Sequence, residues 1–171
     1  MNLSDLFEFC PRCGARRSSG PANPFHCAAC GHTQYFNPAV AVAALLLDTG
    51  NRLLLLRRAK DPGKGKLGLP GGFVDVGETA EDALRREIRE EVNLDVSSLE
   101  FLCTLPNDYH YKGVTYPVLD IFFVARVLST AGTAALDGVE SFLWLEPERV
   151  DLNEMAFPSN AEALRRFNAL S

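Results

Sequence analysis

A chain of 171 residues is long enough for one ordinary domain, or for a domain of about 130 residues with an appendage too short to bury a core of its own. With 47% hydrophobic and 23% charged residues it has the balance of a packed globular protein, which excludes the disordered and fibrous classes. Seventeen basic and 22 acidic side chains leave a formal charge of −5, so the positive field that non-specific nucleic-acid binding needs is missing and no polynucleotide partner is expected.

Residues Met1 to Glu8 lack the basic start and the long apolar stretch of a secretory signal. The longest apolar run, Ala39 to Leu47, is about half of the ~20 residues that a spanning helix needs. No membrane partner is expected, and the protein is expected in the cytoplasm. Four of the five cysteines lie within the first 30 residues. Cys10-Pro-Arg-Cys13 and Cys27-Ala-Ala-Cys30 are C-x2-C pairs 13 residues apart, each followed by a glycine, Gly14 and Gly31. Two such knuckles can set four thiolates around a tetrahedron. Soft sulfur ligands suit zinc, and a site with every position filled by protein leaves no room for a reactive water, so the expected role of Zn²⁺ is structural. Metal binding would supply the folding free energy that this short, polar segment lacks. Free thiols or disulfides are the alternative reading. His26 and His32 flank the pairs and, with four cysteines present, read as surface or supporting residues.

Residues 10–35 contain Arg12, Arg16 and Arg17, several turn formers and no acidic residue, and the character of the chain changes near residue 36. The expected division is 1–36 and 37–171. From Ala39 the run Val40 to Leu47 reads as a buried strand, and Arg52 to Arg57 as its partner across the turn Asp48-Thr49-Gly50-Asn51. Asp61 to Gly72 is rich in glycine and reads as a loop whose backbone can approach something closely. Thr79 to Val92 reads as a helix. Leu99 to Leu105, Thr115 to Leu128 and Glu140 to Leu145 read as strands. Cys103 falls in the first of these as a small buried hydrophobe, and Trp144 in the last as a core residue. Ser159 to Leu170 reads as a closing helix capped by Ser159 or Asn160. The irregular alternation of helices and strands is that of an α+β fold.

On the helix, at about 100° per residue, Ala80, Leu84, Ile88 and Val92 share one stripe, Asp82, Arg85 and Arg89 face away, and Glu87, Glu90 and Glu91 share a third sector. Like charges at these spacings repel by a few tenths of a kcal/mol per pair, which a hard divalent cation would offset. Oxygen ligands favour Mg²⁺ or Mn²⁺, and Mg²⁺ tends to share its shell with substrate phosphates. The alternative for the helix alone is a solvated face on which the glutamates pair with arginines, Arg86 among them.

The stretch Gly72 to Leu94 closely resembles the Nudix box: Gly, five residues, Glu, seven residues, Arg-Glu, an aliphatic residue, any residue, Glu-Glu, any residue, Gly, an aliphatic residue. Gly72, Glu78, Arg86, Glu87, Ile88, Glu90, Glu91 and Leu94 fill the pattern, and Asn93 stands in place of the second glycine. Asn is the next-best residue for a left-handed helix cap. Gly65 to Gly72 is similar to the family's approach to the box, with Leu67 where an aromatic is common. The cysteine pairs followed by Asn37-Pro38 resemble the zinc-ribbon group that includes NADH, ADP-ribose and FAD pyrophosphatases.

The resemblance implies an α/β/α sandwich around a mixed sheet with an amino-terminal zinc ribbon. It also implies a pyrophosphohydrolase acting on a small-molecule nucleotide in which a nucleoside diphosphate is linked to another moiety. By this resemblance Glu87, Glu90, Glu91 and the Gly72 carbonyl hold Mg²⁺ and Arg86 fixes the carboxylates including Glu78; Glu90 or Glu91 is the candidate general base, although family members place the base differently, sometimes on a later loop. Gly71 and Gly72 lie against the substrate. The polar, aromatic segment Asn107 to Gly113 reads as a loop in which Tyr109 and Tyr111 stack a base or sugar, or as an ordinary hairpin loop. Met155 to Ser159 only faintly echoes the signature of NADH pyrophosphatases. A nucleoside triphosphate substrate and a non-catalytic nucleotide sensor stay open as alternatives, and a homodimer is expected by analogy with ribbon-bearing relatives.

Overall fold

The computed structural model describes residues 1–170. The chain falls into two compact units, one of Met1–Ala39 with Asp108–Pro117, the other of Val40–Asn107 with the chain from Val118 onward.

The smaller unit has little regular structure. A 3-10 turn over Leu3–Leu6 precedes the short antiparallel strands β1 (Phe25–His26) and β2 (Thr33–Gln34). Its core consists of Cys10, Phe25, Cys27 and Phe36, with Leu3, Phe7, Ala15 and Cys30 packed against them.

The larger unit is organised by a seven-stranded mixed sheet. β3 (Ala39–Leu47) and β4 (Leu53–Arg58) are antiparallel neighbours and form the expected hairpin. Its turn is held by Asp48, whose Oδ1 accepts the N–H groups of Gly50 (2.9 Å) and Arg52 (2.8 Å) and whose Oδ2 accepts from the Arg52 guanidinium at 2.7 Å. Burial raises the Asp48 carboxyl, but these bonds to Arg52 and Gly50 outweigh it and hold the group below the usual carboxylate range.

The glycine-rich segment is more ordered than a loop. It contains β5 (Leu67–Gly68), paired with β4, and β6 (Gly71–Phe73), paired with β3. Then follow α1 (Ala80–Val92), β7 (Ser98–Tyr111), β8 (Val114–Arg126), β9 (Val139–Leu145) and α2 (Pro158–Asn168). The main path of the sheet runs β5-β4-β3-β8-β7, with β9 alongside β4. β7 runs through the segment Asn107 to Gly113 that reads as a loop in the sequence, and the reversal is confined to Lys112 and Gly113, both at positive φ.

The central strands are apolar on both sides because each side carries a helix. Val42, Ala44, Leu46, Leu54, Leu56 and Phe123 pack with Leu84, Ile88 and Val92 of α1. Leu45, Leu47, Leu53, Leu55 and Phe122 pack with Ala161, Ala163 and Leu164 of α2. The alternation along β3 and β4 follows from the two-residue repeat of a strand. Trp144 is half-buried against the α1 layer and Cys103 is buried in the α2 layer, as expected.

α2 begins earlier than the sequence suggests. Phe157 is its N-cap and Pro158, whose ring fixes φ, occupies the first turn, so neither Ser159 nor Asn160 caps it. The Ser159 hydroxyl instead donates to buried Asp120 at 2.6 Å. Among the described residues no helix is long and apolar enough to cross a membrane.

Leu84 and Ile88 are fully buried, so truncation of either to Ala should cost about 2–5 kcal/mol in urea unfolding, whereas Arg85→Ala on the exposed face should cost under about 1 kcal/mol. Burial raises the Asp120 carboxyl despite its bond from Ser159. The folded chain therefore holds that proton more tightly than the unfolded chain, and the contribution of Asp120 to stability is lost as pH rises through its folded value. The stability of wild type minus that of Asp120→Asn, measured in urea at about pH 4 and again at about pH 7, should accordingly fall across that interval.

Candidate active site and metal centre

The Nudix-box residues are brought together where β6 runs into α1. Thr79 caps α1, its hydroxyl accepting from the Asp82 N–H at 3.1 Å and donating to the Asp82 carboxylate at 2.8 Å. At the other end Asn93 takes the left-handed conformation (φ 56°, ψ 40°), as expected for the residue standing in the place of glycine. Between these caps the buried stripe Ala83, Leu84, Ile88 and Val92 fixes the rotation of the helix and directs Glu87, Glu90 and Glu91 toward one side.

Arg86 lies at the centre of the acids. Its Nε and Nη2 donate to the two oxygens of Glu78, both at 3.0 Å, and Nη2 also donates to the Phe73 carbonyl at 3.1 Å. Nη1 donates to Glu87 Oε1 at 2.8 Å and to Glu90 Oε2 at 3.3 Å. Two of the carboxylates bound to this guanidinium shift in opposite directions. Glu78, which receives two of its N–H groups, is held low, whereas burial pushes Glu87 up more than its bond from Arg86 brings it down. The Arg86 guanidinium itself is firmly charged.

Two glycines form the opposite wall, and at Gly71 the backbone requires glycine. A Cβ on Gly72 would stand 2.4 Å from the Glu87 carboxylate. Gly71 has φ 146°, and a Cβ there would stand 2.1 Å from the Val42 carbonyl oxygen. The Gly71 N–H donates to Glu91 Oε2 at 2.9 Å. Burial pushes the Glu91 carboxyl up to about 8, opposed by that N–H and by Arg58, and assisted by Glu87 and Asp137. A carboxyl kept neutral by burial is charged again when a cation lies against it.

The three glutamates share a side of α1, but their oxygens are not gathered into one tight cluster. Among the described residues only the four cysteines place their ligand atoms within 4.8 Å of one another. The arrangement is nevertheless that of an oxygen-donor site for a divalent cation: two half-buried carboxylates, a third 50% exposed, and a backbone turn that admits no side chain.

Arg58 is a neighbour that the sequence reading misses. It ends β4, donates to the Pro62 carbonyl at 2.7 Å, lies 5.0 Å over the Phe157 ring and acts electrostatically on Glu91. Glu91 and Phe157 are 33 and 99 residues away from Arg58 in sequence, so no local pattern signals their meeting.

In the smaller unit the Sγ atoms of Cys10 and Cys30 lie 3.8 Å apart and those of Cys13 and Cys27 3.7 Å apart. A tetrahedral Zn–S bond of about 2.3 Å requires S···S edges of about 3.8 Å, so the four thiols fit that ion. The backbone N–H groups of Cys30 and Ala29 bring Cys27 down to about 7. Cys13 also accepts a backbone N–H, from Ala15, yet its crowding against the other thiols leaves it at about 12. Four thiols this close become thiolates together only around a cation. His26 is exposed and shares a 3.2 Å contact with Thr33. His32 is half-buried with its Nε2 unpartnered. Tyr109 and Tyr111 lie two residues apart on β7 with ring centroids 6.4 Å apart, in the same unit as the cysteines.

Residues 37–167 match the NUDIX domain model. The ADP-ribose pyrophosphatase of Methanocaldococcus jannaschii is 38% identical over 123 residues, covering 71% of this chain and 66% of that protein. The mitochondrial NAD(P)H pyrophosphatase of Homo sapiens is 35% identical over 97 residues, covering 57% of this chain but only 27% of its own length. A solved MutT NUDIX hydrolase from Burkholderia pseudomallei superimposes with a TM-score of 0.63 at 27% identity, covering 76% of this chain and 98% of that one. The glycine turn, the capped acidic helix and the two-sided sheet thus occur together in a chain matched over most of its length, and the protein belongs to the NUDIX domain family.

Proposed function

We propose that this protein is a metal-dependent pyrophosphohydrolase that cleaves the diphosphate of a nucleoside diphosphate linked to a second moiety, of the ADP-ribose, NADH or FAD type. The observation that carries the reading is the Arg86-centred acid cluster, in which Glu87 lies against Gly72 and Glu91 against Gly71. The substrate class is supported by relatives named for ADP-ribose and NAD(P)H. In this reading Glu87, Glu90, Glu91 and the Gly72 carbonyl hold Mg²⁺ or Mn²⁺, while Cys10, Cys13, Cys27 and Cys30 hold a structural Zn²⁺ in a ribbon over 1–36, followed by the catalytic domain over 37–171. A cytoplasmic homodimer belongs to the same reading.

When bound, the divalent cation neutralises diphosphate charge and lowers the pKa of a coordinated water. The rest of the work falls to the chain. Gly71 and Gly72 leave room for the diphosphate beside the helix. Arg86 holds Glu78, Glu87 and Glu90 in place against their mutual repulsion and need not touch substrate. Tyr109 and Tyr111 offer aromatic faces to a base or sugar. Glu90 or Glu91 takes the proton of the attacking water. A new P–O bond forms to the water oxygen, the bridging P–O bond breaks, and the products are AMP and the phosphomonoester of the second moiety.

AMP release from ADP-ribose, NADH, NAD, FAD, diadenosine polyphosphates and nucleoside triphosphates, with Mg²⁺ or Mn²⁺ and an EDTA blank, tests the reading. Metal-dependent cleavage of a dinucleotide or ADP-sugar is expected, and cleavage of triphosphates alone would replace the substrate class. Glu90→Gln and Glu91→Gln should each lower turnover at least about tenfold, about 1.4 kcal/mol of transition-state stabilisation, with the unfolding transition intact. Full turnover in both variants rules the site out. Because Glu91 sits at about 8 without metal, it is mostly protonated at pH 7, and cation binding must displace that proton. Mg²⁺ titrated into weakly buffered protein at about pH 7 should release protons, the apparent affinity should rise toward pH 8, and Glu91→Gln should abolish both effects.

A further inference from the structure

The smaller unit joins two stretches of chain that are far apart in sequence, the cysteine-bearing amino terminus and the tip of the β7–β8 hairpin, Asp108–Pro117. Their connection runs through named contacts. The Thr115 N–H donates to the Met1 carbonyl at 2.8 Å, and Asn2 forms a parallel bridge with Thr115. Asn2 in turn caps the 3-10 turn Leu3–Leu6: its N–H donates to Asp5 Oδ2 at 2.7 Å and its carbonyl accepts from the Asp5 N–H at 3.0 Å. Leu3 and Phe7 then pack on the core formed by Cys10, Phe25, Cys27 and Phe36, with Phe7 edge-on to Phe36 at 4.6 Å. Arg17 closes the path from the first knuckle, its guanidinium donating to the Ser4 carbonyl at 3.2 Å and its N–H to the Glu8 carbonyl at 2.8 Å.

Two of the four buried residues in that core are cysteines, so its integrity depends on what holds the sulfurs. Ordering the backbone costs on the order of 1 kcal/mol per residue, which a core of a few side chains cannot offset without the metal. The hairpin tip has the complementary weakness, because two strands alone are marginally stable in water. Within the tip, His110 Nδ1 and Thr115 Oγ1 are 2.9 Å apart and Tyr111 is 43% exposed, so little is buried there to hold it.

We propose that the metal-bearing knuckles position the β7–β8 hairpin tip through Met1, Asn2 and Leu3, and thereby hold Tyr109 and Tyr111 in the arrangement that reads the non-reacting part of the substrate. The cysteine centre is then a determinant of substrate affinity without touching substrate, and Leu3 is a positioning residue. The structural coupling stands on the contacts alone. Its consequence for substrate rests on the pyrophosphohydrolase reading.

Hydrogen exchange followed by mass spectrometry on the full zinc-loaded chain, before and after chelation, tests the coupling. Amides of Met1 to Leu6 and of Tyr109 to Thr115 should gain exchange together, by at least about tenfold, while Leu84 to Val92 of α1 keep their protection. Hairpin amides that stay protected after the knuckles have lost their metal would overturn the proposal. Should chelation also expose α1, Leu3→Asp with its metal retained decides the matter. The same local gain is expected, and an unchanged hairpin overturns it.

In steady-state assays on the substrate that the AMP panel identifies, Leu3→Asp should raise KM at least about fivefold with kcat within about twofold of wild type, and Leu3→Met should restore KM. An unchanged KM alongside a freely exchanging hairpin overturns the positioning role. If the wild type cleaves none of the panel, the pyrophosphohydrolase reading fails, while the exchange result still decides whether the knuckles hold the hairpin.

Discussion

One guanidinium holds the acidic end of this molecule together. Glu78, Glu87 and Glu90 are drawn into a small volume by the geometry of α1 and the turn before it, and without a cation between them they would repel. Arg86 satisfies five acceptor contacts at once: two oxygens of Glu78, one each of Glu87 and Glu90, and the Phe73 carbonyl. A lysine, with a compact ammonium and no planar fork, could not reach the same set. The opposed shifts of Glu78 and Glu87 show how little compensation is to spare. The carboxylate gripped twice is held low, while burial pushes up the one gripped once.

That cluster stays in place because everything beneath it is rigid. The buried stripe of α1 packs on Val42, Leu54, Leu56 and Phe123, and the opposite face of the same strands packs on α2. A sheet covered on both sides has no freedom to slip, since a one-residue shift would carry each leucine of β3 and β4 into the wrong layer. Against this frame β6 can approach β3 so closely that no side chain fits at Gly71, and the same closeness brings the Gly71 N–H to Glu91. Burial pushes the Glu91 carboxyl toward neutrality against the pull of that N–H.

The smaller unit is held by different physics. It buries few apolar side chains and relies on four sulfurs spaced as the edges of a ZnS₄ tetrahedron. Its second segment is the end of a hairpin whose strands belong to the large sheet, so local order at Tyr109 and Tyr111 depends on a core formed about a hundred residues earlier in the chain.

Much of this was legible in the sequence, and for identifiable reasons. The C-x2-C spacing, the apolar stripe of α1, the left-handed cap at Asn93 and the spacing from Gly72 to Leu94 are local patterns, each enforced within a few residues by ligand geometry, helix periodicity or backbone φ. Three further features were not legible, because each depends on partners remote in sequence. β7 continues through Asn107 to Tyr111, polar and aromatic residues that read as a loop but find a pairing strand in β8. Ser159 is taken from its expected capping role by buried Asp120, 39 residues earlier, while Pro158 starts the helix. Arg58 acts on Glu91, 33 residues later, across the fold. The sequence by itself determined the residue types of the acid cluster and the helix that presents them. The tertiary structure decided which charges face one another and what steadies the aromatic pair, because those depend on strand pairing and burial, and electrostatic energies change steeply over distances that no local pattern encodes.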